Sequence, residues 1–146
     1  LSRARELLGV HIEEPVLHVC GGRVRDYPFR GCGPNDKTLD LNPATEPDYL
    51  QDARDPLPQG FDAILIDPPY SVEDAAHYRV GSENYPMPNL LVRNALNALN
   101  IGQRVGIIHY LLPQAKDARF VAAVGVLCGF NNRIRCFSVW EKKNGE

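Results

Sequence analysis

Short apolar runs, each ended by turn residues, set the pattern of this chain. Val16-Leu17-His18-Val19-Cys20 follows Pro15 and stops at Gly21-Gly22, which predicts a buried strand entering a tight turn. Thr38 to Leu41 is a second short strand, closed by Asn42-Pro43. Phe61-Asp62-Ala63-Ile64-Leu65-Ile66-Asp67 is the clearest strand, and Pro68-Pro69 stops it abruptly, because proline has no N–H for a central ladder. Asn89 reads as the cap of a helix reaching about Asn100, with Leu91, Ala95, Leu96 and Leu99 on one face and Gly102 as the stop. A strand then runs from Arg104 through Val105-Gly106-Ile107-Ile108 to His109-Tyr110. Lys116 to Val124 reads as helix, and Arg133 to Glu141 as a final strand.

Buried strands alternating with helices predict an α/β domain whose mostly parallel sheet is covered on both faces, with ligands beyond the carboxyl ends of the strands. Three strand ends are therefore informative: Cys20-Gly21-Gly22, Asp40 and Asp67-Pro68-Pro69-Tyr70. Between Gly22 and Lys37 the chain carries Pro28, Gly31, Gly33 and Pro34, so a loop is expected where the first crossover helix would stand. Ser71 to Pro88, with Tyr78, Asn84, Tyr85 and several prolines, is too long for a simple connection and is expected to form a lid over the substrate.

Length and composition narrow the class. One hundred and forty-six residues suit a single domain over 1–146, with no separate target-recognition domain expected. A 44% hydrophobic and 23% charged composition excludes disordered and fibrous classes. The longest apolar stretch, around Val121 to Phe130, is about half of the ~20 residues of a membrane span. Arg3, Arg5 and Glu6 near the start leave no apolar secretion signal; the expectation is a cytoplasmic protein with no membrane partner. Free thiols are expected for Cys20, Cys32, Cys128 and Cys136. A zinc site built from His18, Cys20 and Cys32 lacks any C-x-x-C pair, and the expectation is no metal. The net charge of -2 hides a division: residues 36 to 83 hold eleven acids against three bases, and residues 84 to 146 hold eight bases against three acids. Arg133, Arg135, Lys142 and Lys143 give a basic margin suited to a nucleic acid backbone.

Asp67-Pro68-Pro69-Tyr70 at a strand end resembles the signature of the class I S-adenosylmethionine-dependent methyltransferases that methylate amines, Asp/Asn/Ser-Pro-Pro-Tyr/Phe/Trp. The resemblance runs from about Val16 to Lys142. It implies a Rossmann-like sheet with an antiparallel C-terminal strand, S-adenosyl-L-methionine as cofactor, and direct methyl transfer to an exocyclic amine. Such an amine is a poor nucleophile because its lone pair is delocalised into the ring. The resemblance gives the catalytic turn to Asp67, Pro68, Pro69 and Tyr70: the Asp67 side chain and the Pro68 carbonyl accept from the amine, the prolines stiffen the turn, and the Tyr70 ring stacks on the target.

The cofactor residues implied are His18, Cys20, Gly21 and Gly22 for the methionine part, Asp40 and Leu41 for the ribose, Asp52 and Ala53 for the adenine, and Asp67. This chain departs from the family in having no acid near His18 and no Gly-x-Gly spacing. Tyr78, Tyr85 and His109 join Tyr70 as candidate substrate contacts. The first substrate expected is adenine N6 in DNA, in a flipped or single-stranded base. RNA adenine N6 or guanine N2, cytosine N4 and protein glutamine stay open. So do a non-catalytic methyltransferase-like subunit and a small zinc-bound module. A homodimer or a partner subunit is the expected source of target recognition.

Overall fold

The computed structural model describes residues 1–27, 31–77, 83, 85–127 and 133–144. The apolar runs become β1 (Val16–Val19), β2 (Lys37–Asp40), β4 (Ala63–Ile66), β5 (Arg104–His109) and β7 (Ile134–Lys142), joined by β3 (Tyr49–Leu50) and β6 (Ala118–Leu127). They form one sheet in the order β3-β2-β1-β4-β5-β7-β6. The pairs among β1 to β5 are parallel, and β7 runs antiparallel to both β5 and β6. Among the described residues three α-helices accompany the sheet: α1 (Ser2–Leu8), α2 (Val72–His77) and α3 (Pro88–Ala98). Among the described residues no helix is long and apolar enough to cross a membrane.

Strand alternation divides the core between two faces. Leu17 and Val19 of β1, Ile64 and Ile66 of β4, and Val105 and Ile107 of β5 pack with Leu91, Val92, Ala95 and Leu96 of α3. Val16, Ala63, Phe137 and Val139 share a second cluster with Leu8 of α1. Val19 pairs with Leu39 on one side and Ile66 on the other, so β1, β2 and β4 end level with one another. The strand order reverses between β1 and β4, and a crevice opens beyond their carboxyl ends.

Two expectations are corrected. Residues 118–127 are strand where a helix over Lys116 to Val124 was predicted. A register shift between Phe120 and Ala122 in the ladder to β7 breaks the period-two pattern, and most of β6 is exposed or only half-buried. The sequence therefore shows no clean alternation there. The helix α3 begins at Pro88 after Met87, not at an Asn89 cap; proline suits a first turn, whose N–H has no partner. Asn89 instead accepts the Gln114 N–H through Oδ1 at 3.0 Å. Within the expected lid, Val72–His77 forms α2, while 78–82 and 84 lie outside the described residues. Among its described residues, the expected loop after Gly22 carries only a short 3-10 turn at Val24–Asp26.

Candidate active site

The turn after β1 is tight. Cys20 and Gly22 take left-handed backbone, φ 53 and 51, a conformation that costs a side-chain-bearing residue about 1–2 kcal/mol. At Gly21 a Cβ would lie 2.9 Å from the Cβ of His18, so only glycine fits; at Gly22 a Cβ would meet nothing within 4 Å, because that backbone faces open space. Asp40, at the end of β2, closes the turn from the side. Its Oδ2 accepts the Gly22 N–H at 2.9 Å and its Oδ1 accepts the Asn42 N–H at 2.9 Å.

Asp52 lies beyond β3 and is gripped by Arg54, with Nη2 donating at 2.6 Å and Nε at 3.0 Å. These bonds hold the Asp52 carboxyl below its usual range. At the end of β4, Asp67 is reached by water yet ringed by protein, and this crowding raises its pKa against the opposing hydrogen bond from Tyr70 and the charge of Arg135. The Tyr70 hydroxyl donates to Asp67 Oδ1 at 2.7 Å. Cys20 reports the convergence of these acids: its thiol is pushed far up, first by burial and then by the charges of Asp40, Asp67 and Asp52. A thiol held protonated in this way is no nucleophile.

Behind the Asp67-Pro68-Pro69-Tyr70 turn stand Tyr85 and His109. His109 is 1% exposed, and its Nδ1 accepts the Leu111 N–H at 2.9 Å, which leaves Nε2 as the protonated nitrogen facing the Tyr85 hydroxyl at 3.3 Å. That hydroxyl in turn donates to the Tyr70 carbonyl at 3.3 Å. Burial lowers the His109 pKa and keeps the ring neutral. The structure thus places Tyr85 and His109 as struts of the turn, not on the cavity wall. Tyr78 lies outside the described residues.

His18 also points elsewhere. Its Nε2 lies 2.8 Å from Asp36 Oδ2, both side chains being buried. Arg5 of α1 pairs with the same carboxylate and donates to the carbonyls of Gly31, His11 and Glu14. Asp36 also accepts the Val16 and Gly33 N–H groups. Donor atoms of His18, Cys32 and Asp36 lie within 4.8 Å of one another. Asp36 thus stands where the sequence grouping had Cys20. With an arginine on that carboxylate and every oxygen engaged, the chemistry is that of a buried ion-pair network, not of a cation site.

The remaining expected residues meet in one cavity of about 470 Å³, within the ~300–1,000 Å³ of small-molecule sites. Cys20, Gly21, Gly22, Asp40, Leu41, Asp52, Ala53, Asp67, Pro68, Pro69 and Tyr70 all line it. Tyr27, Leu39, Asn42, Thr45, Gln51, Pro86 and Arg135 complete the lining and were not singled out as site residues from sequence. Of these only Arg135 carried a signal, as part of the basic margin. The donor set fits S-adenosylmethionine: backbone open at Gly22, carboxylates at two strand ends for hydroxyl and amine groups, and Leu39, Leu41 and Ala53 for a ring.

No protein-family model matches the chain, and no curated protein matches it in sequence. Solved structures do resemble it. TrmN from Thermus thermophilus superposes with a TM-score of 0.68 at 21% identity, over 97% of this chain and 48% of that one. The N-methyltransferase NodS from Bradyrhizobium japonicum, solved with S-adenosyl-L-homocysteine, gives 0.62 at 10% identity over 95% of this chain and 83% of the other. An rRNA methylase from Streptococcus thermophilus gives 0.57 at 13% identity over 97% and 95%. The chain spans about half the length of TrmN. Sheet order and superposition together establish the architecture: this chain has the Rossmann-like fold of S-adenosylmethionine-dependent methyltransferases.

Proposed function

We propose that the chain is an S-adenosylmethionine-dependent N-methyltransferase acting on an exocyclic amine, with adenine N6 in DNA as the substrate. The observation that carries this reading is the position of Asp67: a carboxylate at the tip of a proline-stiffened turn, opening on the same cavity as the Gly21-Gly22 turn and Asp40. S-adenosylmethionine supplies, when bound, an electrophilic methyl group on a sulfonium. The Gly21-Gly22 backbone would hold the methionine part of that ligand, Asp40 and Leu41 its ribose, and Asp52 and Ala53 its adenine. Asp67 and the Pro68 carbonyl accept from the substrate N–H groups and so keep the nitrogen lone pair directed at the methyl carbon. Transfer would form the bond from nitrogen to the methyl carbon as the carbon–sulfur bond breaks to a neutral thioether, with the extra proton passing from the nitrogen to water. The test is incubation with methyl-labelled cofactor and a panel of DNA, RNA and protein, with the methylated atom identified by mass spectrometry. Label on adenine N6 of DNA is expected; label on another atom overturns the substrate, and none on any overturns the activity.

Two further outcomes follow from the same geometry. Asp40→Ala removes a charged acceptor and frees two backbone N–H groups, so cofactor affinity by calorimetry is expected to fall about 10- to 100-fold; unchanged affinity would mean that the ribose assignment is wrong. Tyr70→Phe removes the hydroxyl that lowers the Asp67 pKa and keeps the stacking ring. Turnover should fall only a few-fold, with the acid limb of its pH profile moved upward.

A further inference from the structure

Arg135 is the one described residue of β7 on the cavity wall. Its guanidinium carbon lies 4.8 Å from the centroid of the Tyr70 ring, the surface on which, in the function proposed above, the target base stacks. Guanidinium is planar and cationic and lies on aromatic faces much as a base does, so Arg135 and the base compete for one surface. Two residues earlier, just before the strand begins, Arg133 Nη1 reaches the Tyr110 hydroxyl at 3.4 Å. The Tyr110 ring sits 4.9 Å from that of Tyr70. Tyr70 and Arg135 on the cavity wall are therefore flanked by Tyr110 and Arg133 outside it, while Asp40, Asp52 and Asp67 line the same cavity.

We propose that Arg135 is an exchange residue: it covers the Tyr70 ring when no target is present and passes to a phosphate of the same strand when a base takes its place. The inference rests on the methyl-transfer reading and adds a source of discrimination to it. A free nucleoside must displace a cation from the ring and offers it no anion. A strand supplies the base for the ring and a phosphate for the guanidinium together. Arg135 is thus a positioning residue that makes the site select nucleotides within a chain over free nucleosides, without reading sequence.

Opposite effects on two ligands test it. Wild type, Arg135→Ala and Arg135→Lys, each first checked by thermal unfolding, are titrated with adenosine and with single-stranded oligodeoxynucleotides bearing a central adenine in randomised flanks, over a range of salt. Arg135→Ala is expected to bind adenosine roughly two- to five-fold more tightly, the worth of an exposed cation–π contact. The same variant should bind the strand about five- to ten-fold more weakly, with the logarithmic salt dependence shallower by about 0.7, one phosphate contact. Arg135→Lys keeps the charge and stacks less well, so it should keep the salt dependence while gaining for adenosine; if the alanine variant fails to fold, this one decides alone. Both ligands weakening together, or neither changing, would overturn the exchange. A wild-type protein that methylates DNA yet shows such parallel changes removes the exchange alone; one that methylates no strand removes both readings.

Discussion

Asp67→Ala is expected to lower methyl transfer by about 10²- to 10³-fold or more, the scale for losing a preorganised polar group at the reacting atom, while leaving cofactor affinity within a few-fold. The separation follows from the geometry. Asp67 sits on the turn after β4, whereas the glycine backbone lies on the turn after β1 and Asp40 is the last residue of β2. Its Oδ1 already accepts one O–H, from Tyr70, which shows that the carboxylate is placed to take a donor, with Oδ2 left for a second. The raised carboxyl pKa gives the reaction a pH signature. Transfer needs the ionised form, so the rate should climb with pH through that raised value and level off above it. Asp67→Asn keeps an acceptor oxygen but cannot titrate; it should retain more activity than the alanine variant and lose the acid limb. Initial rates with labelled cofactor across pH, together with calorimetry, measure both. Near-normal turnover in Asp67→Ala would remove the mechanism.

How much of this was legible from sequence depends on how local each signal is. β1, β2, β4, β5 and β7 could be read because each is an apolar run between stops, and the turn that lines the cavity because Asp67-Pro68-Pro69-Tyr70 is contiguous. β6 could not, since its register shift and exposed positions erase the period on which such readings rest. α1 has no capping side chain and spans only seven residues, and it buries an arginine that composition alone assigns to the surface. His18 was read as a ligand contact because it precedes the glycine turn. Its partner Asp36 lies 18 residues on and Arg5 lies 13 before it, and only the folded sheet brings the three together. Arg135 was likewise visible as charge; that it lies on Tyr70 depends on the antiparallel return of β7 beside β5.

That buried network carries the second large effect. Asp36→Ala is expected to destabilise the fold by about 3–5 kcal/mol, because the change leaves a buried guanidinium without its counter-charge, and to lower Tm by roughly 10 °C or more. Asp36 is 2% exposed and Arg5 6%; the Val16 and Gly33 N–H groups lose their acceptor as well. By contrast, the pair Arg3 and Glu6 on α1 is largely exposed, and Glu6→Ala should cost well under 1 kcal/mol. Burial alone would raise the Asp36 carboxyl; hydrogen bonds from His18, Arg5 and Gly33 reverse this and hold it at about 2, against 3.8 unperturbed. A depressed carboxyl stabilises the fold fully above its unfolded value and loses that contribution as pH falls toward the folded one. Wild type should therefore lose stability steeply between about pH 4 and pH 2, and Asp36→Ala should lack that component. Adding Arg5→Met to Asp36→Ala removes the stranded cation and should recover part of the loss. Recovery stays partial, because the carbonyls of His11, Glu14 and Gly31 then lack their donor. Denaturant unfolding of the four proteins decides it: a loss below about 1 kcal/mol in Asp36→Ala would mean that the network does not hold the strand starts together.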